Sequence, residues 1–479
     1  MPVRNMVCAA LTCTVMLTGC ASMVPPGQFV AQNARADPTG ASAVPGAGSS
    51  VVPSAPGVVA RGPVSGGVPG RANIGTGSAA AGRRGLGGQV SPVAAISAAP
   101  ASCHGFTNST GISASTISLG NVADVSGPVP GLFASAQQAT MAYAAYFNAT
   151  SSICGRKLKV VGYDSQTSAT GDQQAATSGC DQSFALVGSV SAFDSGGAKT
   201  VADCGIPDLR TISTTPQRVA SRVSFGTDAV DPTQVSTVQY QVIKSLTGDA
   251  YTKSAILYLD AGAAIPNATA YRKTMESLGY HFVYDQAIDV TALSYATYAA
   301  KIKSLGVRLI QFEGSYQFAV RLKQALVQQG VDPVFVMDSV AYDPIFVAAG
   351  GADLDGMYSY VDTALFEESG GSPALQLYVK WLRTVAPSAQ PSFFGMFAWG
   401  AMQLFSRLAV QLGGRLSRDT LLAAIAGVHD YTADGLFAPQ DVGGKHSPSC
   451  QAVIQLESGT WVRRSQSPYS CSTVFDTTR

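Results

Sequence analysis

The sequence predicts an α/β protein with parallel β-sheets in two lobes, preceded by a disordered tether. Short apolar segments alternate with segments of helical periodicity along most of the chain, a pattern typical of parallel sheets. The first unit has a strand at 117–122, a Gly/Pro loop at 126–131, a helix at 132–148 and a strand at 158–163. The pattern begins again near Asp231 and continues over a similar length, which predicts a second lobe.

The helix at 132–148 has one apolar face, which is predicted to pack against the first sheet. The residues of that face are Phe133, Ala136, Ala139, Thr140, Tyr143 and Phe147. The next first-lobe elements are predicted as a helix at 170–180, a strand at 184–187, a helix ending at Cys204 and a strand at 209–213. Three successive strands end in Gly-, Ser- or Thr-rich loops, which offer N–H and hydroxyl groups at the edge where such sheets bind ligands.

The second lobe repeats the alternation and is followed by a helical stretch and a terminal hairpin. Its predicted strands are 254–260, 281–284, 308–313 and 333–338, and its predicted helices are 233–246, 268–278, 295–305 and 316–329. A crossing segment is predicted at 357–361, helices at 373–385, 394–412 and 417–425, and a hairpin from 451–456 and 461–464.

Charge and hydropathy exclude two classes of partner. The net charge is +1, only 13% of residues are charged, and no basic stripe is present, so nucleic acid is not an expected partner. After residue 20, no uninterrupted apolar run reaches about 18 residues, so no membrane-spanning helix is expected in the body.

The first twenty residues have the pattern of an export signal. Arg4 precedes an apolar stretch at 6–17, and small residues follow at Thr18 and Gly19. The tetrapeptide at 17–20 resembles the bacterial lipobox, which implies a signal peptide at 1–19 and a lipidated Cys20 holding the protein at the outer face of the cell membrane. The alternative is an ordinary secretory signal in which Cys20 occurs by chance.

A low-complexity segment follows this signal. Residues 21–100 contain 25 Gly plus Pro, one acidic residue, Asp37, and one aromatic residue, Phe29. Such a segment buries too little apolar surface to offset its conformational entropy. We therefore predict a disordered linker over 20–112, with an r.m.s. reach on the order of 50 Å. The alternative to a functional tether is a low-complexity stretch whose length has not been selected for any function.

Six cysteines remain after the signal and Cys20, and an even number in an exported protein favours disulfides. Six cysteines allow many connectivities. We favour Cys180–Cys204 and Cys450–Cys471, because each pair brackets a compact local unit, and Cys103–Cys154 takes the remaining two. No CxxC pair or histidine cluster accompanies them, so no metal site is expected.

No catalytic residue and no cofactor are predicted, and the chain is not expected to be an enzyme. It has no nucleophile elbow and no phosphate-binding loop, and the prolines in 126–131 remove N–H donors that a phosphate would need. None of the four histidines has a partner at nucleophile or metal spacing. The acids at predicted strand ends could contact a ligand or cap loops: Asp164, Asp260, Glu313 and Asp338.

Several loose motifs occur in one order along the chain. They are Ser126-Gly-Pro with Gly131, the Ala-rich helix with Asn148, Gly155-Arg-Lys-Leu158, Asp164, Val187-Gly-Ser-Val-Ser191, Gly205-Ile-Pro207 and Ile212-Ser213. Over about 113–465 the chain thereby resembles the type I periplasmic substrate-binding proteins, in particular the leucine/isoleucine/valine-binding branch.

The resemblance implies two lobes that close on a ligand and are joined by a three-crossover hinge. By position, one lobe comprises 113–232 plus 362–436, and the other comprises 233–361 plus 437–479. The implied partners are a small-molecule ligand and an ABC permease in the membrane, and the implied state is a monomer.

The resemblance also implies ligand-binding residues on both lobes. Loops after the third and fourth strands hold a ligand carboxylate in amino-acid-binding members, and their positions here are Ser191, Ala192, Phe193, Ser213, Thr214 and Thr215. On the second lobe, Glu313, Tyr316 and Asp338 stand where an acid and an aromatic residue hold the ammonium group, with Asp260 less certain. Phe193 replaces a residue that is commonly small and hydroxylic, so the pocket is expected to be smaller or more apolar.

Four functions are compatible with these features. The first is a solute receptor that captures an amino acid or related compound and delivers it to an ABC importer. A sensing receptor of the same fold without a transporter is the second, and a neighbouring permease gene would separate the two. The others are an enzyme on a similar scaffold, recognisable by turnover that Glu313 or Asp338 variants lose, and an envelope structural protein with a vestigial cleft.

Overall fold

The computed structural model describes residues 102–479, so the predicted signal peptide, Cys20 and most of the predicted linker lie outside the described residues. The strands are β1 (Thr116–Ala123), β2 (Lys157–Asp164), β3 (Ala185–Val187), β4 (Asp208–Ile212), β5 (Ser224–Asp228), β6 (Gln234–Ser236), β7 (Ser254–Leu259), β8 (Phe282–Ile288), β9 (Leu309–Glu313), β10 (Val334–Met337), β11 (Tyr358–Val361), β12 (Cys450–Glu457), β13 (Thr460–Arg463), β14 (Ser470–Cys471) and β15 (Val474–Asp476).

Helices connect most of these strands. They are α1 (Ala134–Thr150), α2 (Ala169–Gln182), α3 (Ser195–Cys204), α4 (Pro216–Val219), α5 (Val238–Leu246), α6 (Ala264–Ser277), α7 (Ala296–Leu305), α8 (Tyr316–Gln328), α9 (Pro344–Gly350), α10 (Pro373–Val385), α11 (Phe393–Leu412) and α12 (Arg418–Ala426). Short 3-10 turns occur at Ala250–Lys253, Ser339–Ala341, Gly351–Leu354, Phe366–Gly371 and Gly413–Arg415.

The first sheet has the strand order β2-β1-β3-β4-β5, and all of its neighbours are parallel. Strands β1, β3, β4 and β5 are strongly buried, since both faces of the sheet are covered by helices, as parallel sheets require, whereas the edge strand β2 is only partly buried. The order reverses between β1 and β3, so the loops after these two strands separate at a topological switch point, where α/β sheets bind ligands.

The second sheet has the order β13-β12-β11-β10-β9-β7-β8. Strands β8 to β11 are parallel, and β12 and β13 add an antiparallel edge. The two-lobed α/β fold class is therefore confirmed, as is the terminal hairpin. The prediction of a crossing segment at 357–361 is wrong, because Tyr358–Val361 forms the strand where the parallel and antiparallel parts of the sheet meet.

The apolar face of α1 packs against two helices as well as the sheet. All six residues predicted for that face are buried. Tyr143 meets Trp399 of α11 edge-on with ring centroids 4.8 Å apart, and Phe133 meets Phe394 at 4.7 Å. In the described part of the chain, Phe393–Arg415 is long and apolar enough to cross a membrane, but 89% of its most apolar window is buried inside the protein. This burial is typical of a core helix.

Three crossings join the two sheets. The first follows β5, the second follows β11, and the third follows α12. The second and third crossings pair with each other through a β-bridge between Thr363 and Phe437. The strands β6 and β15 form a small antiparallel sheet that joins the first crossing to the end of the chain.

Three disulfides tie local segments together, and they are the pairs favoured from the sequence: Cys103–Cys154, Cys180–Cys204 and Cys450–Cys471. The first one attaches residues 102–112, the end of the predicted linker, to the turn before β2. Ile112 of the same segment is buried and forms β-bridges with Ser109 and Ile117. These residues are therefore tied to the first lobe by a disulfide and backbone pairing, although most of their side chains are exposed.

Candidate ligand site between the lobes

Loops from the two lobes touch each other at the carboxyl ends of their sheets. The amide of Ala263, after β7, donates a hydrogen bond to the carbonyl oxygen of Ala192, after β3, at 3.2 Å. The ring of Phe193 lies 3.3 Å from the point where a Cβ on Gly262 would stand, and the Ala192 carbonyl oxygen lies 2.8 Å from it. A loop from each lobe thus closes one side of the cleft.

Asp124 holds the first-lobe loops in register. It follows β1 directly and accepts hydrogen bonds from the Ala192 amide at 2.8 Å and from Ser165 Oγ at 2.5 Å. Burial raises the pKa of Asp124 above its usual range, against the lowering effect of these hydrogen bonds. One carboxylate therefore connects the segments that follow β1, β2 and β3.

Asp194 connects the loop after β3 to the loop after β4. Its carboxylate accepts from the Thr214 amide at 2.8 Å and from Thr215 Oγ1 at 2.6 Å. Thr214 Oγ1 donates to the carbonyl oxygen of Ser191 at 2.7 Å, and Ser191 Oγ accepts from the Phe193 amide at 3.1 Å. The hydroxyl protons of Thr214 and Thr215 are thus committed within the lobe, and Thr215 is buried.

A buried ionic network lies behind these two loops. Arg218 pairs with Asp172 at 2.7 Å and with Asp208 at 3.1 Å. Arg210 pairs with Asp208 at 3.3 Å and with Asp194 at 3.5 Å. These side chains are at most 1% exposed, so each charge depends on its partners for solvation. The network is linked through Asp194 to the loops that follow β3 and β4.

The second lobe places two carboxyl groups side by side. Glu313 ends β9, Asp338 follows β10, and these strands are neighbours in the sheet. Glu313 accepts from Asn267 Nδ2 at 3.1 Å, whereas its other oxygen has no partner, and Asp338 accepts from the Val340 amide at 3.1 Å. Burial and the neighbouring Asp338 raise the pKa of Glu313, and burial raises the pKa of Asp338 to about 6. Each of the two carboxyls therefore keeps its proton to a higher pH than an isolated carboxyl would.

Three tyrosines surround this carboxyl pair on one face of the sheet. The hydroxyl groups of Tyr240 and Tyr360 lie 3.3 Å apart, and the ring of Tyr271 lies 6.5 Å from that of Tyr360. Burial, reinforced by the charge of Glu313, raises the pKa of Tyr240 and Tyr271. The acids therefore lie against a buried aromatic cluster of the second lobe.

The other candidate residues differ in accessibility. Asp260 is exposed and Tyr316 is half-buried, whereas Ser213 is buried beside a small pocket that Lys445 also lines. Asp164 accepts from the amides of Val125 and Ser126 at 3.1 Å each, and so fixes the loop at 126–131. Burial opposes ionisation of Asp164, but hydrogen bonds outweigh it and lower its pKa.

Within residues 102–479, no group of three or more His, Cys, Asp and Glu side chains could hold a metal ion. Four residues of this region were not predicted from the sequence: Asp124, Asp194, Asn267 and Gly262. Asp124 and Asp194 lie in loops that follow predicted strands, and this position could have indicated their role.

Comparison with known families assigns this architecture. The family model described as periplasmic binding protein matches residues 116–460. The chain belongs to the type I periplasmic binding protein family. Members of this family are extracytoplasmic and bind solutes for ABC transporters. None of the curated proteins matches this chain.

Solved structures with this fold bind chemically different ligands. A fatty acid ABC transporter substrate-binding protein from Thermomonospora curvata has a TM-score of 0.64 and 17% identity, covering 78% of this chain and 95% of its own. The branched-chain amino acid binding protein LivJ from Streptococcus pneumoniae, in complex with isoleucine, has a TM-score of 0.62 and 16% identity, covering 75% of this chain and 99% of its own. A solute-binding protein from Rhodopseudomonas palustris, in complex with 4-hydroxybenzoate, has a TM-score of 0.62 and 17% identity, covering 75% of this chain and 97% of its own. At these identities the similarity establishes the fold alone.

Proposed function

We propose that this periplasmic binding protein is a lipid-anchored receptor that captures an amino acid or related small polar compound and delivers it to an ABC importer. The observation that carries the proposal is the meeting of the β3 loop, Ala192–Phe193, with the β7 loop, Gly262–Ala263, across the cleft. Loops that touch across a hinge can enclose a ligand, and ligand binding then favours the closed state.

The proposed lobes comprise 113–232 with 362–436, and 233–361 with 437–479. Membership of β1–β5 in one sheet and of β7–β14 in the other supports this division. The helices α10 and α11 contact α1, which supports their inclusion in the first lobe. The chain acts in this proposal as a monomer without catalysis.

The composition of the two walls supports an amine with an apolar body as ligand. Glu313 and Asp338 supply negative charge, and Glu313 has an oxygen without a partner. Phe193 and Tyr316 add aromatic surface. On the first lobe, Thr214 and Thr215 have committed their hydroxyl protons and Ser191 is fully buried. The proposed contacts for a ligand carboxylate are therefore backbone groups of the loop that Ser191 holds through the Phe193 amide.

A thermal-shift screen of the full chain tests ligand binding. The panel contains amino acids, aromatic carboxylic acids and fatty acids, the ligand types of the structural neighbours. We expect an amino acid or a related amine to raise the unfolding temperature, since a ligand that binds only the folded state stabilises it. Stabilisation by fatty acids alone would contradict the proposed ligand class.

Calorimetry with two variants tests the proposed contacts. We expect Ser191→Ala and Glu313→Gln each to weaken binding of the stabilising ligand by about tenfold or more, because each removes one hydrogen bond or charge contact. Ser294→Ala and Glu276→Gln are matched controls at exposed or half-exposed positions of the second lobe. Unchanged affinity in both test variants would refute the site assignment.

Membrane attachment is tested at Cys20. We expect Cys20→Ser to release the protein from membranes into the soluble fraction, because the thiol is the proposed site of lipid attachment. Loss of ligand uptake in cells lacking the protein would support delivery to an importer. Normal uptake together with a ligand-dependent cellular response would favour the sensing receptor instead.

A further inference from the structure

Three buried polar side chains meet where the chain crosses between the lobes. Asp228 ends β5 at the first crossing, Asp362 follows β11 at the second, and Gln440 belongs to the third. Asp228 is 3% exposed, Asp362 is 2% exposed and Gln440 is fully buried. Each crossing therefore contributes one side chain to a cluster inside the hinge.

Gln440 holds the other two crossings. Its Nε2 donates to Asp362 Oδ2 at 2.6 Å, and its Oε1 accepts from the Ala229 amide at 3.0 Å. Its backbone pairs in both directions with Tyr431 at 3.0 Å. The amide of Ala438 also donates to the carbonyl oxygen of Asp362 at 2.6 Å. Hydrogen bonds thus connect the three crossings next to a pair of carboxyl groups.

No basic group compensates this pair. Within the described chain, neither Asp228 nor Asp362 forms an ion pair, and Asp228 Oδ1 has no hydrogen-bond partner. The titratable groups packed around the cluster are the phenols Tyr431 and Tyr469, and burial raises the pKa of both. Lys445, on the third crossing, donates to the carbonyl oxygens of Val219 and Ser221 instead.

One further titratable group lies beside the third crossing. Asp441, next to Gln440, bonds to the ring nitrogens of His429 and His446, and all three are at least 31% exposed. A test of the buried carboxyl pair must therefore be separated from these histidines.

Ionising both of two neighbouring buried carboxyl groups costs much free energy, because each charge is desolvated and repels the other. Burial, with the charge of Asp362, raises the pKa of Asp228 well above its usual range, and burial raises the pKa of Asp362 to about 7 despite the hydrogen bond from Gln440. The pair as a unit therefore begins to ionise at about pH 7, and both carboxyls are charged only at a higher pH.

We propose that Asp228 and Asp362 form a proton-dependent latch, which keeps the three crossings together while protonated and loosens the hinge when both carboxyls are charged. The inference concerns the hinge alone and does not depend on the identity of the ligand. A folded state that binds more protons than the alternative is lost as pH rises. The closed arrangement should consequently weaken as pH rises above about 7, where the second carboxyl of the pair becomes charged as well.

Fluorescence energy transfer across the cleft tests the latch in the full chain. Fluorophores are placed through unnatural amino acids at Lys199 of α3 and Lys301 of α7, one exposed position on each lobe. We expect the ratio of open to closed molecules to rise as the pH increases above about 7, by up to about tenfold per pH unit. We expect Asp362→Asn to abolish this response, because the amide cannot ionise.

Three further variants make the test specific. Asp228→Asn should also abolish the response, and it serves as the test variant if Asp362→Asn does not fold. The double variant His429→Gln with His446→Gln and the variant Glu313→Gln should both retain the response. A pH response that persists in both aspartate variants, that is absent from the wild type, or that disappears with the histidines or with Glu313 would overturn the proposal.

Discussion

The side chains that shape the cleft act largely through other side chains. Asp194 is the clearest case, because it bonds to Thr214 and Thr215 in one loop while its own loop carries Phe193. It also balances Arg210 in the buried network. Loop geometry on the first lobe therefore depends on a residue that sits behind the ligand surface.

Removing Asp194 should destabilise the protein. We expect Asp194→Ala to lower the free energy of unfolding by about 3–5 kcal/mol, because it leaves Arg210 buried with a missing partner. Chemical denaturation monitored by circular dichroism measures the change.

Asp203 provides the control, since it lies in α3, the helix that Asp194 directly precedes, and forms an exposed ion pair with Lys199. Asp203→Ala should cost less than about 1 kcal/mol. Equal effects of the two substitutions would contradict a structural role for the buried network.

The sequence predicted the positions of Glu313 and Asp338 at strand ends, but not which acids lie next to each other in the fold. Glu313 and Asp338 were expected at the carboxyl edge, because each ends an apolar run. Their contact follows from the adjacency of β9 and β10, and the coupling of Asp228 to Asp362 follows from the packing of the crossings. Neither sheet order nor crossing geometry is encoded in local spacing.

At the scale of elements, periodicity predicted segments with apolar cores and missed a polar one. Strand β5 reads Ser-Phe-Gly-Thr-Asp and has no apolar run. It is buried because Ser224 Oγ donates to Asp208 at 2.8 Å and Thr227 Oγ1 donates to the Phe397 carbonyl oxygen at 3.0 Å. Long-range hydrogen bonds, absent from any sequence window, thus define this strand.

The contact between the β3 and β7 loops makes a prediction at this scale. Gly262 has a φ of +57° and no room for a Cβ, which would stand 2.8 Å from the Ala192 carbonyl oxygen. We expect Gly262→Val to weaken ligand binding by about tenfold or more, because it separates the loops that close the cleft. Isothermal titration calorimetry measures the loss.

Gly248 is the matched control, because it has a φ of +61° on the same lobe but open space around the position of a Cβ. Gly248→Val should carry a similar backbone strain and leave ligand affinity unchanged. Equal loss of affinity in both variants would show that strain, rather than the contact between loops, explains the effect.

At the scale of the whole molecule, two α/β lobes, three crossings and the disulfides form the described body of a periplasmic binding protein. The alternation of strands and helices made this architecture predictable, because a parallel sheet requires it. The antiparallel edge of the second sheet was harder to predict from the sequence, since β11 is only four residues long and its sequence does not show its place in the sheet.

The central claim is that a small molecule closes the two lobes on each other. The measurement is the fluorescence energy transfer between Lys199 and Lys301 during titration with the ligand found in the thermal-shift screen. We predict a saturable shift to higher transfer with the same midpoint as calorimetric binding, and no such shift in Gly262→Val. Saturation of binding without any change in transfer would contradict the account.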